Sequence, residues 1–245
     1  MALSVKVSNS LEILVEAFSA ALRTAPGDVF QPEFIITQTE GMNNWLKLRI
    51  SSLDGIAANL RFVKPNDILF QVYDRLGGPR EQVLSSDHLE WILFRELDDA
   101  EFKRRFPSVA GYYQDGEEIK RLELARKVAD LFDQYQIYRP ALIGEWNAGE
   151  TGRGVSEWQA WLWSRVKKGY GDRMSDKTAM AAFITTALRD PERVAALARR
   201  LPRVYLFGLS ILTAFHIDLF HQLSEHIDIG FYLLNPAPSE YWYED

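Results

Sequence analysis

Strand-like sequence lies toward the two ends of this 245-residue chain and helical sequence fills the middle, so any sheet must be closed by segments far apart in the chain. Ser4-Val5-Lys6-Val7 alternates like a short strand, and Phe34-Ile35-Ile36-Thr37 reads as a buried one. Between them Leu11, Leu14, Val15, Phe18 and Leu22 follow helical spacing, with Ser10 as N-cap and Pro26-Gly27 beyond the end. A helix over Met42, Trp45, Leu46 and Arg49, a strand over Ile56–Phe62 and a helix over Pro65–Leu76 continue the βαβ rhythm of a parallel sheet. From Gly77 to about Pro202 only helical patterns occur, at roughly 87–98, 118–138, 155–168, 176–189 and 191–200. In 118–138, Leu124, Val128, Leu131, Phe132 and Tyr135 make one apolar stripe that Pro140 ends. The strand pattern resumes at Val204-Tyr205-Leu206-Phe207, followed by a helix over Ala214–Leu223 and a strand over Ile227–Leu234. The spacing predicts an α/β fold in which one parallel sheet is split by one large helical insertion.

With 47% hydrophobic and 25% charged residues the chain can bury a core. No apolar run approaches the roughly 20 residues of a spanning helix, and Met1–Val7 lacks the basic start and apolar stretch of a signal peptide. The expectation is a soluble, cytoplasmic protein without membrane contact. Zero cysteines exclude disulfides, thiol nucleophiles and cysteine-ligated metals. The net charge of −6 argues against nucleic-acid binding by bulk charge, yet it is unevenly spread. Residues 161–203 carry ten Lys/Arg against four Asp/Glu, whereas residues 204–245 carry six acids and no base.

A parallel sheet flanked by helices invites a nucleotide site in the loop after its first strand, where a phosphate-binding G-x-x-x-x-G-K-[ST] would stand. That loop reads Ser8-Asn9-Ser10, with no glycine to close on phosphate and no lysine for its oxygens, and it suits a helix cap. The strand Val204–Phe207 ends in Phe207-Gly208-Leu209-Ser210, without the acidic pair that would hold magnesium. His216, His221 and His226 are five apart and cannot converge as i,i+4 ligands would. Ser156-Glu157 and Asp172–Lys177 have the residue types of a nuclease metal site, but in polar helical stretches they read as caps or a solvated face. No cofactor and no metal are expected. Trp158, Trp161 and Trp163 beside Arg165, Lys167 and Lys168 suit stacking on a single strand, and they equally suit a helix packed on its neighbour. Gln38, Thr39 and Asn44 follow the second strand, where parallel sheets present ligands. Asp130, Asp133 and Gln134, at i, i+3 and i+4, would share one face of the long helix, with Arg139 just beyond it. Such side chains read base edges by paired donors and acceptors, and they also line ordinary solvated helix faces.

Longer strings resemble a known family. Ser8-Asn9-Ser10-Leu11-Glu12, Gln38-Thr39-Glu40-Gly41-Met42-Asn43-Asn44-Trp45-Leu46, Gly55-Ile56-Ala57-Ala58-Asn59, Ala129-Asp130-Leu131-Phe132-Asp133-Gln134-Tyr135, Tyr138-Arg139-Pro140 and Trp158-Gln159-Ala160-Trp161-Leu162-Trp163 are similar to the N-terminal region of the RecC family, the gamma subunits of exodeoxyribonuclease V. Val204–Ser210, Asn235-Pro236 and Tyr241-Trp242 continue the resemblance, which runs in order along essentially the whole chain. It implies a RecA-like, superfamily 1 helicase-type domain with decayed ATPase motifs, over residues 1–76 and 202–245, and a helical insertion subdomain over 77–201. It further implies RecB-like and RecD-like partners, DNA repair and recombination, channelling of single-stranded DNA, and scanning of that strand for Chi. By motif, the strand-scanning residues would be Gln38, Asn44, Asp130, Leu131, Asp133, Gln134 and Arg139, with Lys177 from the basic insertion. Glu40 and Lys64 put charges where RecC proteins can carry uncharged residues, which bears on base preference.

Two functions of different kinds follow. One is a non-catalytic DNA-binding subunit holding a single strand against a decayed helicase surface. The other is a scaffold whose tryptophans and acidic C-terminal segment dock partner subunits without touching DNA. A third class, an active ATPase or nuclease, is poorly supported, because its motifs fail at the positions where the fold would need them. Calorimetric titration of the chain with Mg-ATP is therefore expected to be flat, and a 1:1 isotherm of micromolar affinity, worth about 8 kcal/mol, would contradict the loss of the phosphate loop.

Overall fold

The computed structural model describes residues 3–24, 30–80, 83–113, 118–150, 157–170 and 175–236. Pro26-Gly27, most of the Gly149–Gly154 connection, Ser156, Asp172 and Tyr241-Trp242, singled out above, lie outside the described residues. In chain order the elements are β1 (Leu3–Ser8), α1 (Leu11–Arg23), β2 (Glu33–Ile36), α2 (Glu40–Asp54), β3 (Leu60–Val63) and α3 (Pro65–Arg75). There follow α4 (Ser86–Glu96), α5 (Ala100–Arg105), α6 (Pro107–Ala110), α7 (Glu118–Tyr138), α8 (Pro140–Asn147), α9 (Glu157–Tyr170), α10 (Lys177–Ala187) and α11 (Pro191–Arg200). The last are β4 (Arg203–Phe207), α12 (Ala214–Ser224) and β5 (Asp228–Leu234). No helix of the described residues is long and apolar enough to cross a membrane.

The five strands form one all-parallel sheet in the order β1-β5-β4-β2-β3, the α/β, RecA-like class expected from the sequence. The two strands latest in sequence thus lie between the two earliest. Their burial follows from that position: every residue of β4 is buried, while β1, at the edge, is exposed along most of its length. The expected strand over Ile56–Phe62 begins only at Leu60, because α2 ends on Gly55 at φ +79 and Asn59 also takes a left-handed backbone.

The chain divides into two compact units, Met1–Gly78 with Phe183–Asp245, and Pro79–Ala182. In the sheet unit α1 and α2 share one core with the sheet. Their first turns are capped by Ser10, whose Oγ accepts from Ile13 N, and Thr39, whose Oγ1 accepts from Met42 N. Leu14, Val15, Phe18, Leu46 and Ile50 then pack on Ile35, Tyr205, Phe207 and Tyr232. The Phe18 ring sits 5.0 Å from Tyr205 and 5.2 Å from Tyr232, both edge-on. Burial pushes both tyrosine hydroxyls above their ordinary pKa. Elsewhere in this unit α12 meets α3 where His216 Nε2 lies 3.0 Å from Asn66 Oδ1, and its Nδ1 lies 2.8 Å from Thr213 Oγ1. That accounts for His216 as a core histidine with both ring nitrogens engaged. The segment α11 belongs here because Arg193 donates to the Leu76 carbonyl at 3.1 Å beyond the end of α3.

The helical unit has its own core, in which α4, α7 and α9 contribute Leu89, Leu93, Val128, Phe132, Leu162 and Trp163. Trp163 is fully buried, stands edge-on to Phe132 at 5.3 Å and donates its indole N–H to Asn147 Oδ1 at 2.9 Å. Trp161 lies 5.4 Å from Phe102 and 6.2 Å from Phe106. Of the two uses open to these tryptophans, packing is the one observed. Tyr113 donates to the Leu97 carbonyl at 2.7 Å, and burial pushes its hydroxyl up to about 12.

The sheet core leaves no room at Gly230, where an added Cβ would lie 2.8 Å from Tyr205 Cδ1. Gly230→Ala is expected to cost about 1–3 kcal/mol of stability by forcing the aromatic layer apart, read as a lower urea midpoint. An unchanged midpoint would show that Tyr205 can move away freely.

Candidate nucleic-acid interface

The helix α7 is amphipathic in an asymmetric way. Ala125, Val128, Ala129 and Phe132 recur at helical spacing and bury one side. Val128, Phe132 and Gln136 stand at i, i+4 and i+8, so Gln136 is carried into the buried side as well. Both ends of its amide are used there: Nε2 donates to the Phe132 carbonyl at 3.1 Å, and Oε1 accepts from Lys177 N at 2.7 Å. Gln136 thereby satisfies one of the open N–H groups that begin α10. Buried Asp176 accepts from Ala179 N at 2.8 Å and from Lys167 Nζ at 3.2 Å, capping the same helix start.

The eight candidate residues separate into distinct settings. Lys177 Nζ reaches both carboxylate oxygens of Asp133, at 2.7 and 2.6 Å, in a pair whose side chains are only 17% and 23% exposed. Asp133 and Lys177 are therefore each other's partners across α7 and α10. Asp130 and Gln134 are exposed, and Gln134 Nε2 donates to Asp130 Oδ2 at 3.0 Å. The shared face expected for Asp130, Asp133 and Gln134 is thus divided, with Asp133 turned toward α10. Leu131 is half-buried. Arg139 is exposed and holds its guanidinium 5.4 Å from the Tyr135 ring.

Gln38 and Asn44 belong to the sheet unit. Gln38 follows β2, and its Nε2 donates to the Ile211 carbonyl at 3.4 Å while its Oε1 accepts from Ser210 Oγ at 3.2 Å. These bonds tie together the loops after β2 and β4, adjacent strands from which the chain departs in opposite directions across the sheet. That is the place where an open parallel sheet offers a crevice for ligands. Beneath it, buried Thr37 donates to Asn43, fixing the start of α2. Asn44, one residue on, is exposed.

Part of the basic stretch is engaged internally. Arg165 binds Glu96 at 2.9 Å and Asp99 at 3.3 Å, and Lys167 binds Asp176. Of the acids considered as fragments of a nuclease site, Glu157 pairs with Arg105 at 2.7 Å and Asp176 with Lys167. In the loop after β1, Ser10 Oγ donates to Glu12 Oε2 at 2.9 Å. Bonding to its own backbone N–H, and then to Ser10, holds the Glu12 carboxyl below the usual range, so a carboxylate occupies the first turn of α1.

Residues 3–244 match the family described as RecC, N-terminal domain. The chain belongs to this family. Similar relatives are the RecBCD enzyme subunit RecC of Escherichia coli K12, 29% identical over 243 residues, and that of Haemophilus influenzae, 28% identical over 266. These alignments cover 96% of this chain but 22% and 23% of the relatives. RecC of Mycolicibacterium smegmatis is 25% identical over 248 residues, covering 97% of this chain and 21% of that protein. The chain thus spans about a fifth of the length of the RecC proteins it matches.

Within this RecC N-terminal domain, two residues important to the site escape sequence reasoning. Gln136 has a visible signal, a polar residue at a stripe position four after Phe132. Glu12 also has one, an acid in the first turn after the N-cap Ser10. The Asp133–Lys177 pair generates a quantitative expectation. A double-mutant cycle with Asp133→Ala and Lys177→Ala is expected to give a coupling of about 1 kcal/mol in unfolding free energy, reduced from a buried pair's value by partial exposure. Strict additivity would show that the contact contributes nothing to the native state.

Proposed function

We propose that the chain is the non-catalytic, DNA-handling N-terminal domain of a RecC-type subunit in an exodeoxyribonuclease V complex, guiding single-stranded DNA and scanning it for Chi during double-strand break repair. The observation that carries this reading is the end of α7, where the exposed Asp130–Gln134 pair precedes an exposed Arg139. An amide and a carboxylate offer the donor and acceptor pattern that reads base edges, and an arginine supplies a phosphate contact. The Asp133–Lys177 pair and Gln136 hold that face from behind, so they act as positioning residues while Gln134, Asp130 and Arg139 meet the strand. Leu131 would line the same helix, and Gln38 and Asn44 would be strand contacts of the sheet unit taken by itself.

On this reading the sheet unit is a helicase-type domain without ATPase or nuclease chemistry, and the helical unit is its insertion. The carboxylate of Glu12 supports the first part, since it occupies the helix terminus where a nucleotide phosphate would need positive potential. The partners would be RecB-like and RecD-like subunits, in the cytoplasm. A scaffold role for the sheet unit is favoured by a separate observation: edge strand β1 leaves Leu3, Val5 and Val7 about half exposed.

The test is fluorescence anisotropy of the chain with labelled single-stranded DNA, followed by the Chi response of a reconstituted complex. Gln134→Ala is expected to weaken binding by about tenfold, or about 1.4 kcal/mol, and to alter the Chi response with unwinding preserved. Absence of strand binding by the parent chain, or a Gln134→Ala variant equal to it in both assays, would refute the reading.

A further inference from the structure

Tyr138 is the last residue of α7, and its side chain is 64% exposed, whereas Phe132 on the same helix is fully buried. It stands one turn beyond Gln134 and two beyond Asp130, so the hydrogen-bonded amide–carboxylate pair and the phenol ring form one row on the solvent side. The next residue, Arg139, donates its backbone N–H to the Tyr135 carbonyl at 2.9 Å, which keeps it close to the helix end. Its guanidinium stacks over Tyr135 and makes no ion pair among the described residues. The row therefore combines a donor–acceptor pair, a flat exposed ring and an available cation.

We infer that Tyr138 is the stacking platform for one nucleobase of a single strand lying along α7, with that strand's base edges toward Gln134 and Asp130 and a phosphate at Arg139. Single-stranded nucleic acid presents these three features together, a base face, a base edge and a phosphate, and aromatic rings beside cations are its general receptors. A polypeptide partner fits less well, because the neighbours of Tyr138 on this row are polar or charged, and a protein hot spot needs further apolar contacts to exclude water. The inference rests on the DNA-handling reading above, and it adds the residue that would hold a base by its face.

The experiment measures binding of the chain to an oligonucleotide carrying 2-aminopurine, whose fluorescence is quenched by stacking. Tyr138→Ala is expected to weaken binding by roughly 5- to 150-fold and to relieve the quenching. Tyr138→Phe should stay within about twofold of the parent and Tyr138→Trp should bind at least as tightly, because the ring face and not the hydroxyl makes the contact. The dependence of affinity on salt should be unchanged in Tyr138→Ala, whereas Arg139→Ala should lower its slope by about 0.7. If Tyr138→Phe is as weak as Tyr138→Ala, stacking is wrong. If Gln134→Ala weakens binding and Tyr138→Ala does not, the platform is wrong and the DNA-handling reading stands. If the parent chain binds no strand, both fail together.

Discussion

Strand β4 pairs with β2 on one side and β5 on the other, and each of its five residues is buried. Without it the sheet would be two unconnected edges: β1 joins the sheet solely through β5, and β2 with β3 solely through β4. Everything that positions the sheet unit's candidates depends on this closure. The bonds of Gln38 to Ser210 and Ile211 form because β2 and β4 are neighbours, and the aromatic layer of Phe18, Tyr205, Phe207 and Tyr232 exists because strands far apart in sequence lie side by side. The entropic cost of bringing such distant segments together is offset by burying the apolar residues of β2 and β4 in the sheet interior.

Charge in the helical unit is organised by the same need to satisfy buried groups. A stretch with six more bases than acids looks, in sequence, like a phosphate-binding surface. Folding directs Arg165 to Glu96 and Asp99, Lys167 to Asp176 and Lys177 to Asp133. Glu96 and Asp176 are almost fully buried, and a buried carboxylate left without a partner is costly, so these cations are retained inside. The positive charge left exposed is consequently smaller than composition suggests, and lies on residues such as Lys168, Arg199 and Arg200.

Two faces of α7 carry different tasks. The buried side packs Val128 and Phe132 and anchors α10 through Gln136, while the exposed side aligns Asp130, Gln134 and Tyr138. A helix locked on one side presents the other with little conformational freedom, which lowers the entropic cost of any contact made there.

The strands, the long helix and the absence of a phosphate loop were legible in the sequence, because periodicity and capping are local properties that neighbouring residues impose on one another. The family resemblance was legible for the same reason, in strings such as Asp130–Tyr135. Local rules missed the short helices α5, α6 and α8 and extended β3 backward through Asn59, since helices of one or two turns and left-handed positions carry weak signals. Strand order, the separation of Asp133 from Asp130 and Gln134, and the internal pairing of the basic residues were decided by the tertiary structure alone. Each joins residues distant in sequence, such as Asp133 with Lys177 and Gln38 with Ser210. Spacing along a helix states which side chains share a face, but the partner that captures one of them is chosen by what the rest of the chain packs alongside.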